Sequence, residues 1–417
     1  MTRIDTPRGP ITAHVEDGLV YARCIQFATA ERWQKPVPAK WTEVRDCTKI
    51  GPICPQHKFR FEFVIGEMPL DRPMSEDCLN LSVIAPENAE NLPVLVWFHG
   101  GANISGGADI DLMDTSGLAK LGLVTVCVQY RLGVYGAVEI PGHAPANLHV
   151  YDQMESLRWV KENAASFGGD PSRITIMGQS AGGWAVYNML LAPTDGLFQK
   201  AIMISAPLDI RPKGGYGDLV KKRLPGDLLD IQAECQKERD GIDDYSADRR
   251  QAPFPADLNK RIAERKDVEL LTGWTADDCL PFLRLVPASK LLISIPFIGN
   301  SMEYYIGKAA TTLVFKRGNQ QLAQKWSSSG KKATTFEFQW FPEGSPFRAC
   351  HCIEMPFIFG GWANWASAPL LAGPDSEEVI ARLAPMVKQM LLTFIKDGLE
   401  DGKHIPINAQ FSEKSYL

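Results

Sequence analysis

Ile174-Thr175-Ile176-Met177-Gly178-Gln179-Ser180-Ala181-Gly182 is the stretch on which the fold turns. The apolar, β-branched run before Gly178 reads as a strand, and Trp184 to Leu191 reads as a helix. A Gly-x-Ser-x-Gly turn between a strand and a helix is the context a nucleophile elbow requires. The reason is steric. So sharp a turn holds the serine in a sparsely populated backbone conformation, and glycines two residues either side remove the Cβ atoms that would collide. The serine then sits at a helix N-terminus, where the positive end of the dipole favours developing negative charge. An ordinary Gly-containing loop could carry the same pentapeptide, so the rest of the chain has to decide.

Working outward, Leu92 to Phe98 is a continuous apolar run, as expected of a parallel strand buried on both faces. Leu123 to Tyr130 reads as the next buried strand, and Lys200 to Ser205, Val268 to Gly273 and Ala333 to Trp340 read as further strands. Leu148 to Phe167 has helical spacing, with Met154, Leu157, Trp159 and Val160 apolar among charged residues, and Gly168-Gly169-Asp170-Pro171 stops it. Strands alternating with helices predict a parallel sheet covered by helices. Ile11 to Val15 and Leu19 to Ala22 read as a hairpin around Glu16-Asp17-Gly18, and Leu79 to Ile84 as a further strand. Residues 33–55 read as irregular wrapping, residues 209–265 as an excursion over the sheet edge, and Glu377 to Lys396 as a closing helix. Large α/β sheets run to this length as one unit, so residues 1–417 read as a single domain.

Composition narrows the class. Apolar residues make up 45% and charged residues 22%, which suits a globular chain with a sizeable core. A net charge of −5 offers no basic patch for nucleic acid. The opening Met1-Thr2-Arg3-Ile4-Asp5-Thr6-Pro7 lacks an apolar core of the signal-peptide kind, and no run approaches membrane-spanning length. The expectation is a cytoplasmic protein with no membrane anchor, secretion being the alternative if the N-terminus is incomplete. The nine cysteines carry no metal spacing, since Cys350-His351-Cys352 lacks a second pair, so neither metal nor cofactor is expected.

A serine hydroxyl needs a histidine to take its proton and a carboxylate to orient the imidazole. On this type of sheet they follow in the order serine, acid, histidine. Only His351 and His404 come after Ser180, and His404 has no predicted strand before it, so His351 is the candidate base. The acid is Asp277 or Asp278, adjacent after the Val268 strand. His99-Gly100-Gly101-Ala102, after the Leu92 strand, offers bare backbone N–H groups of the kind an oxyanion hole uses, although a Gly-rich surface turn would look the same.

Several stretches resemble type-B carboxylesterases, the family that includes cholinesterases and bacterial p-nitrobenzyl esterases. They are Ser75-Glu76-Asp77-Cys78-Leu79-Asn80-Leu81, Trp97 to Ala102, Tyr130-Arg131-Leu132-Gly133-Val134-Tyr135-Gly136, Asn147 with Asp152-Gln153, Phe167 to Pro171, and the serine turn itself. The resemblance implies an α/β-hydrolase fold and a serine carboxylic-ester hydrolase that works through an acyl-enzyme on small to medium uncharged esters. It implies Ser180, Asp278 and His351 as the triad, with the N–H groups of Gly101, Ala102 and Ala181 as oxyanion donors. Cys54 and Cys78 match the pair that bridges in secreted members.

The chain also departs from the family pattern. Gln179 stands where the family usually has glutamate, Cys279 replaces a glycine, and the aromatic with which cholinesterases grip choline has no evident counterpart between Cys54 and Cys78, a stretch with Phe59, Phe61 and Phe63 but no tryptophan. Ser180 to Asp278 spans 98 positions and Asp278 to His351 spans 73, both compressed. This predicts a reduced helical region over the site, unless a gene-model gap removed it. Two rivals remain: an acyltransferase or cyclase using the same acyl-enzyme, and a non-catalytic binding protein of the same family. Substrate identity and oligomeric state are not legible.

Overall fold

The computed structural model describes residues 1–417 apart from 69–71, 211–213, 240–244, 266–267, 287–294 and 296–298. Its strands are β1 (Thr2–Thr6), β2 (Gly9–Glu16), β3 (Leu19–Gln26), β4 (Asn80–Pro86), β5 (Leu92–Phe98), β6 (Val124–Val128), β7 (Gly169–Gln179), β8 (Lys200–Ile204), β9 (Glu269–Thr275), β10 (Ala333–Phe338) and β11 (His404–Ile407). They lie in the order β1-β2-β3-β4-β6-β5-β7-β8-β9-β10-β11 in one sheet, with Arg45–Asp46 also pairing on β2. From β6 to β11 every pairing is parallel, and β1 to β4 add an antiparallel flank.

The strands obey the period of two. Val94, Val96 and Phe98 of β5 face one apolar core, and Leu95 and Trp97 face the other. Ile174 and Ile176 of β7 join the first core and Met177 the second; Ala201 and Met203 of β8 divide from Ile202 and Ile204 in the same way. Both faces are therefore covered, as a parallel sheet requires. Helices α1 (Leu148–Asn163), α2 (Ala181–Leu191) and α4 (Arg317–Ser328) contribute Leu157, Met189 and Trp326 to the first core. Helix α5 (Ser376–Asp397) packs Leu383, Val387, Met390, Leu391 and Phe394 into the second, as its spacing predicts. Among the described residues no helix is long and apolar enough to cross a membrane.

One expectation needs correction. The described residues of the segment 209–265 pack on the first core and do not hang over a sheet edge: Tyr216, Val220, Ile231 and Cys235 are buried there, and Gln232 Oε1 accepts a hydrogen bond from Val134 N at 2.9 Å. Apolar side chains at 216, 220, 231 and 235, diluted by charge in the sequence, are what pull the segment inward. His404 itself opens β11, so no strand leads into it, and the short alternation of exposed and buried residues in β11 gives little sequence signal. Helix α3 (Gly299–Thr311), which continues through a wide turn at Thr312–Lys316 into α4, has no clean apolar stripe and was not anticipated.

Arg131 and Asp152 explain two of the family-like stretches. The guanidinium donates to both carboxylate oxygens, Nε to Oδ2 at 2.9 Å and Nη2 to Oδ1 at 2.7 Å, with both residues buried. Nη1 donates to Gln34 O at 2.8 Å, so the pair ties α1, the loop after β6 and the N-terminal wrapping together. Removing one member leaves a buried uncompensated charge, which costs about 3–5 kcal/mol. Asp152→Ala is therefore expected to lower the urea midpoint by an amount equivalent to about 3–5 kcal/mol, and Asp152→Asn by less. An unchanged midpoint in Asp152→Ala would contradict this role.

Candidate active site

Ser180 stands between β7 and α2 at φ 58° and ψ −120°, a conformation a non-glycine residue adopts only when its surroundings enforce it. They do. A Cβ on Gly178 would lie 2.1 Å from Gly182 O, and one on Gly182 would lie 2.0 Å from Phe98 O. The chain can turn this tightly against β5 only with glycine at both places. Ser180 N donates to Ile204 O at 2.9 Å, pinning the turn to β8.

The neighbouring loop after β5 is fixed by its own contacts. Tyr130 Oη donates to His99 O at 2.7 Å, and the His99 and Tyr130 rings stack with centroids 4.4 Å apart. His99 is fully buried; burial pushes its imidazole down to about 4, so it is neutral and Nδ1–H donates to Gly100 O at 2.8 Å. Gly101 has φ 109°, and a Cβ there would lie 2.0 Å from Ser105 O. Among the described residues, the backbone N–H groups of Gly101, Ala102 and Ala181 have no acceptor.

Asp278 and His351 meet although 73 positions separate them. His351 Nδ1–H donates to Asp278 Oδ1 at 2.7 Å, with both residues buried. Asp278 Oδ2 accepts from Thr275 N at 2.8 Å and from Ser205 Oγ at 2.9 Å. Asp277, the other candidate acid, turns away toward Lys308 Nζ at 3.2 Å and Arg348 Nε at 3.4 Å. His351 is not placed just beyond a strand as expected; it lies in a turn well after β10 ends at Phe338. The rings of Phe282 and Phe315 lie 5.1 and 5.3 Å from its imidazole, and Phe61 lies 6.0 Å away.

Ser180, His351, Gly101 and Ala102 line one pocket of about 790 Å³, partly open to solvent. Its remaining wall is largely apolar, with Phe59, Phe61, Met113, Phe282, Leu285 and Trp365 among the contributors. Ser180 Oγ makes no hydrogen bond to His351. Instead Gln179 Nε2 donates to His351 Nε2 at 3.3 Å and to Cys352 Sγ at 3.5 Å. Cys54 and Cys78 are both buried free thiols, so the family-implied bridge is not formed here.

Ser205, Phe315 and Phe282 escaped the sequence reading. Ser205 carries one usable signal, a polar residue at the C-terminal end of the strand next to β7. The phenylalanines carry none, because their segments read simply as apolar.

Glu354 is the other buried acid near the pair. Neither oxygen makes a well-formed hydrogen bond, and burial, reinforced by the charge on Asp278, pushes its carboxyl from 4.5 up to about 8. The folded chain therefore holds this proton more tightly than the unfolded chain. The stability that the protonated form provides is complete below about pH 4.5 and is lost as pH rises through about 8. Glu354→Gln, which cannot ionise, should gain urea stability relative to the parent as pH is raised across this window. A difference that stays flat or reverses would contradict the placement.

Residues 12–213 match the model of the carboxylesterase family. Across 98% of its length the chain is 30% identical to a probable N-octanoylanthranilate hydrolase of Rhodococcus erythropolis, covering 95% of that protein. Across 95% of its length it is also 30% identical to the para-nitrobenzyl esterase of Bacillus subtilis strain 168, covering 90% of it. The solved structure of a thermophilic PNB esterase superposes with a TM-score of 0.82 at 26% identity, over 98% of this chain and 96% of that one. A parallel sheet with an antiparallel flank, a strained serine between β7 and α2, and full-length similarity to esterases agree: the chain belongs to the carboxylesterase family and is a hydrolase of the α/β-hydrolase fold.

Proposed function

We propose that this enzyme cleaves carboxylic esters with apolar acyl or alcohol groups through an acyl-enzyme on Ser180. The observation that carries the reading is the buried His351–Asp278 hydrogen bond in the pocket that holds the strained serine. Ser180 Oγ attacks the ester carbonyl, and His351 Nε2 takes its proton. Asp278 holds the imidazole in the tautomer with Nδ1 protonated and supports the imidazolium that forms. The N–H groups of Gly101, Ala102 and Ala181 receive the oxyanion; one such donor is typically worth about 3 kcal/mol in the transition state. His351 then protonates the leaving alcohol and activates water to release the acid.

One adjustment is required before attack. Gln179 Nε2 occupies the direction at His351 Nε2 that the serine hydroxyl must take, so the imidazole exchanges one donor for the other as substrate enters. Catalytic hydrogen bonds are often loose in unliganded sites and tighten in the complex. The aromatic wall favours aryl or medium alkyl groups over hydrated ones. The similarity to a para-nitrobenzyl esterase points the same way.

Hydrolysis of p-nitrophenyl butyrate by the purified protein is the direct assay. Ser180→Ala is expected to fall to background, and Asp278→Asn to lose about 10⁴-fold in kcat, the size seen when the orienting carboxylate is neutralised. Full activity in Asp278→Asn would overturn the acid assignment, and activity in Ser180→Ala would overturn the mechanism.

A further inference from the structure

Among the described residues, the pocket has one charged side chain besides His351, and it is a cation. Arg60 stands at the rim, exposed, between Phe59 and Phe61, the ring of the latter being one of those packed about His351. Among the described residues its hydrogen-bond partner is the neutral Gln236 Oε1 at 3.2 Å. Among the described residues no carboxylate lines the pocket, and none lies within ion-pair distance of Arg60.

Some other exposed arginines are held by carboxylates: Arg32 sits on Glu76 and Arg250 on Asp248. Even the nearby Lys58 has Glu67 at 3.9 Å. The rest of the pocket's charge inventory leans the same way. The residue beside Ser180 is the neutral amide Gln179, and Asp278 is committed to His351, Ser205 and Thr275.

From this we infer that Arg60 is a specificity-determining residue, and that the pocket takes esters bearing a carboxylate some bonds away from the ester group. The apolar body of such a substrate lies along Phe61, Phe282 and Trp365, and its carboxylate meets the guanidinium at the rim. A planar guanidinium offers a carboxylate two parallel donors. The flanking rings lower the local dielectric, so the pair is stronger than one in open solvent, while remaining sensitive to salt. An exposed pair of this kind is worth only a few-fold in affinity, which sets the scale of the test. The inference rests on the esterase reading for the place of the ester, but the recognition of the anion can be measured without turnover.

The experiment titrates Ser180→Ala protein by calorimetry with 4-phenylbutyrate and with its neutral isostere 4-phenylbutyramide, then repeats both titrations with Arg60→Gln or Arg60→Lys added. The expected result is at least about three-fold tighter binding of the carboxylate at low salt. That preference should vanish in Arg60→Gln, survive in part in Arg60→Lys and shrink at high salt. Equal affinities, a preference that persists in Arg60→Gln, or no measurable binding of either ligand would overturn it. In the enzyme with Ser180 intact, the ratio of kcat/KM for mono-p-nitrophenyl glutarate to that for p-nitrophenyl butyrate should fall at least about three-fold in Arg60→Gln. If p-nitrophenyl butyrate itself is not hydrolysed, the esterase reading fails while the titration still decides the role of Arg60.

Discussion

The crowding of β7 and α2 against β5 is the constraint from which the site follows. Gly182 lies so close to Phe98 O that no side chain fits, and Gly178 lies equally close to Gly182 O. This contact forces Ser180 to φ 58° and holds its side chain at the pocket floor. The strain is sustained because the surroundings over-determine it: β7 is paired on both sides, and Ser180 N is bonded to Ile204 O. The same approach of α2 to β5 brings the His99–Ala102 loop beside the serine, with a Cβ on Gly100 lying 3.4 Å from Ser180 Cβ, so one packing event places both.

Electrostatics divides the acids around His351 by the partners each one has. Asp278 accepts from an imidazole, a hydroxyl and a backbone N–H. Glu354, as deeply buried but without well-formed hydrogen bonds, is held protonated up to about pH 8 and adds no second anion at neutral pH. Gln179, where relatives usually carry glutamate, removes a further negative charge. Among the described residues, Asp278 is thus the acid bonded to His351.

Sequence made some of this legible and hid the rest for physical reasons. The strands around the serine turn were readable because burial on both faces leaves uninterrupted apolar runs, as in Leu92–Phe98, whose bounds match the structure. Glycine spacing exposed the turn because the steric demand is local. Asp278 was separable from Asp277 only through the family resemblance; the structure shows the reason, since Asp277 is drawn off by Lys308 and Arg348. Ser205, Phe282 and Phe315 act on the site through contacts between distant segments, which no local pattern encodes. Helix α3 is hard to read from the sequence because Tyr305 and Ile306 are exposed, which blurs the apolar stripe by which a helix is recognised.

The central claim is that Ser180 is a nucleophile activated by His351, and covalent trapping tests it most directly. Protein incubated with an excess of an alkyl fluorophosphonate and examined by intact and peptide mass spectrometry should gain one adduct per chain, on the peptide containing Ser180. His351→Ala should slow the labelling by orders of magnitude while leaving the fold intact by circular dichroism. A folded protein that takes no adduct, takes it elsewhere, or labels Ser180 equally fast without His351 would contradict the account.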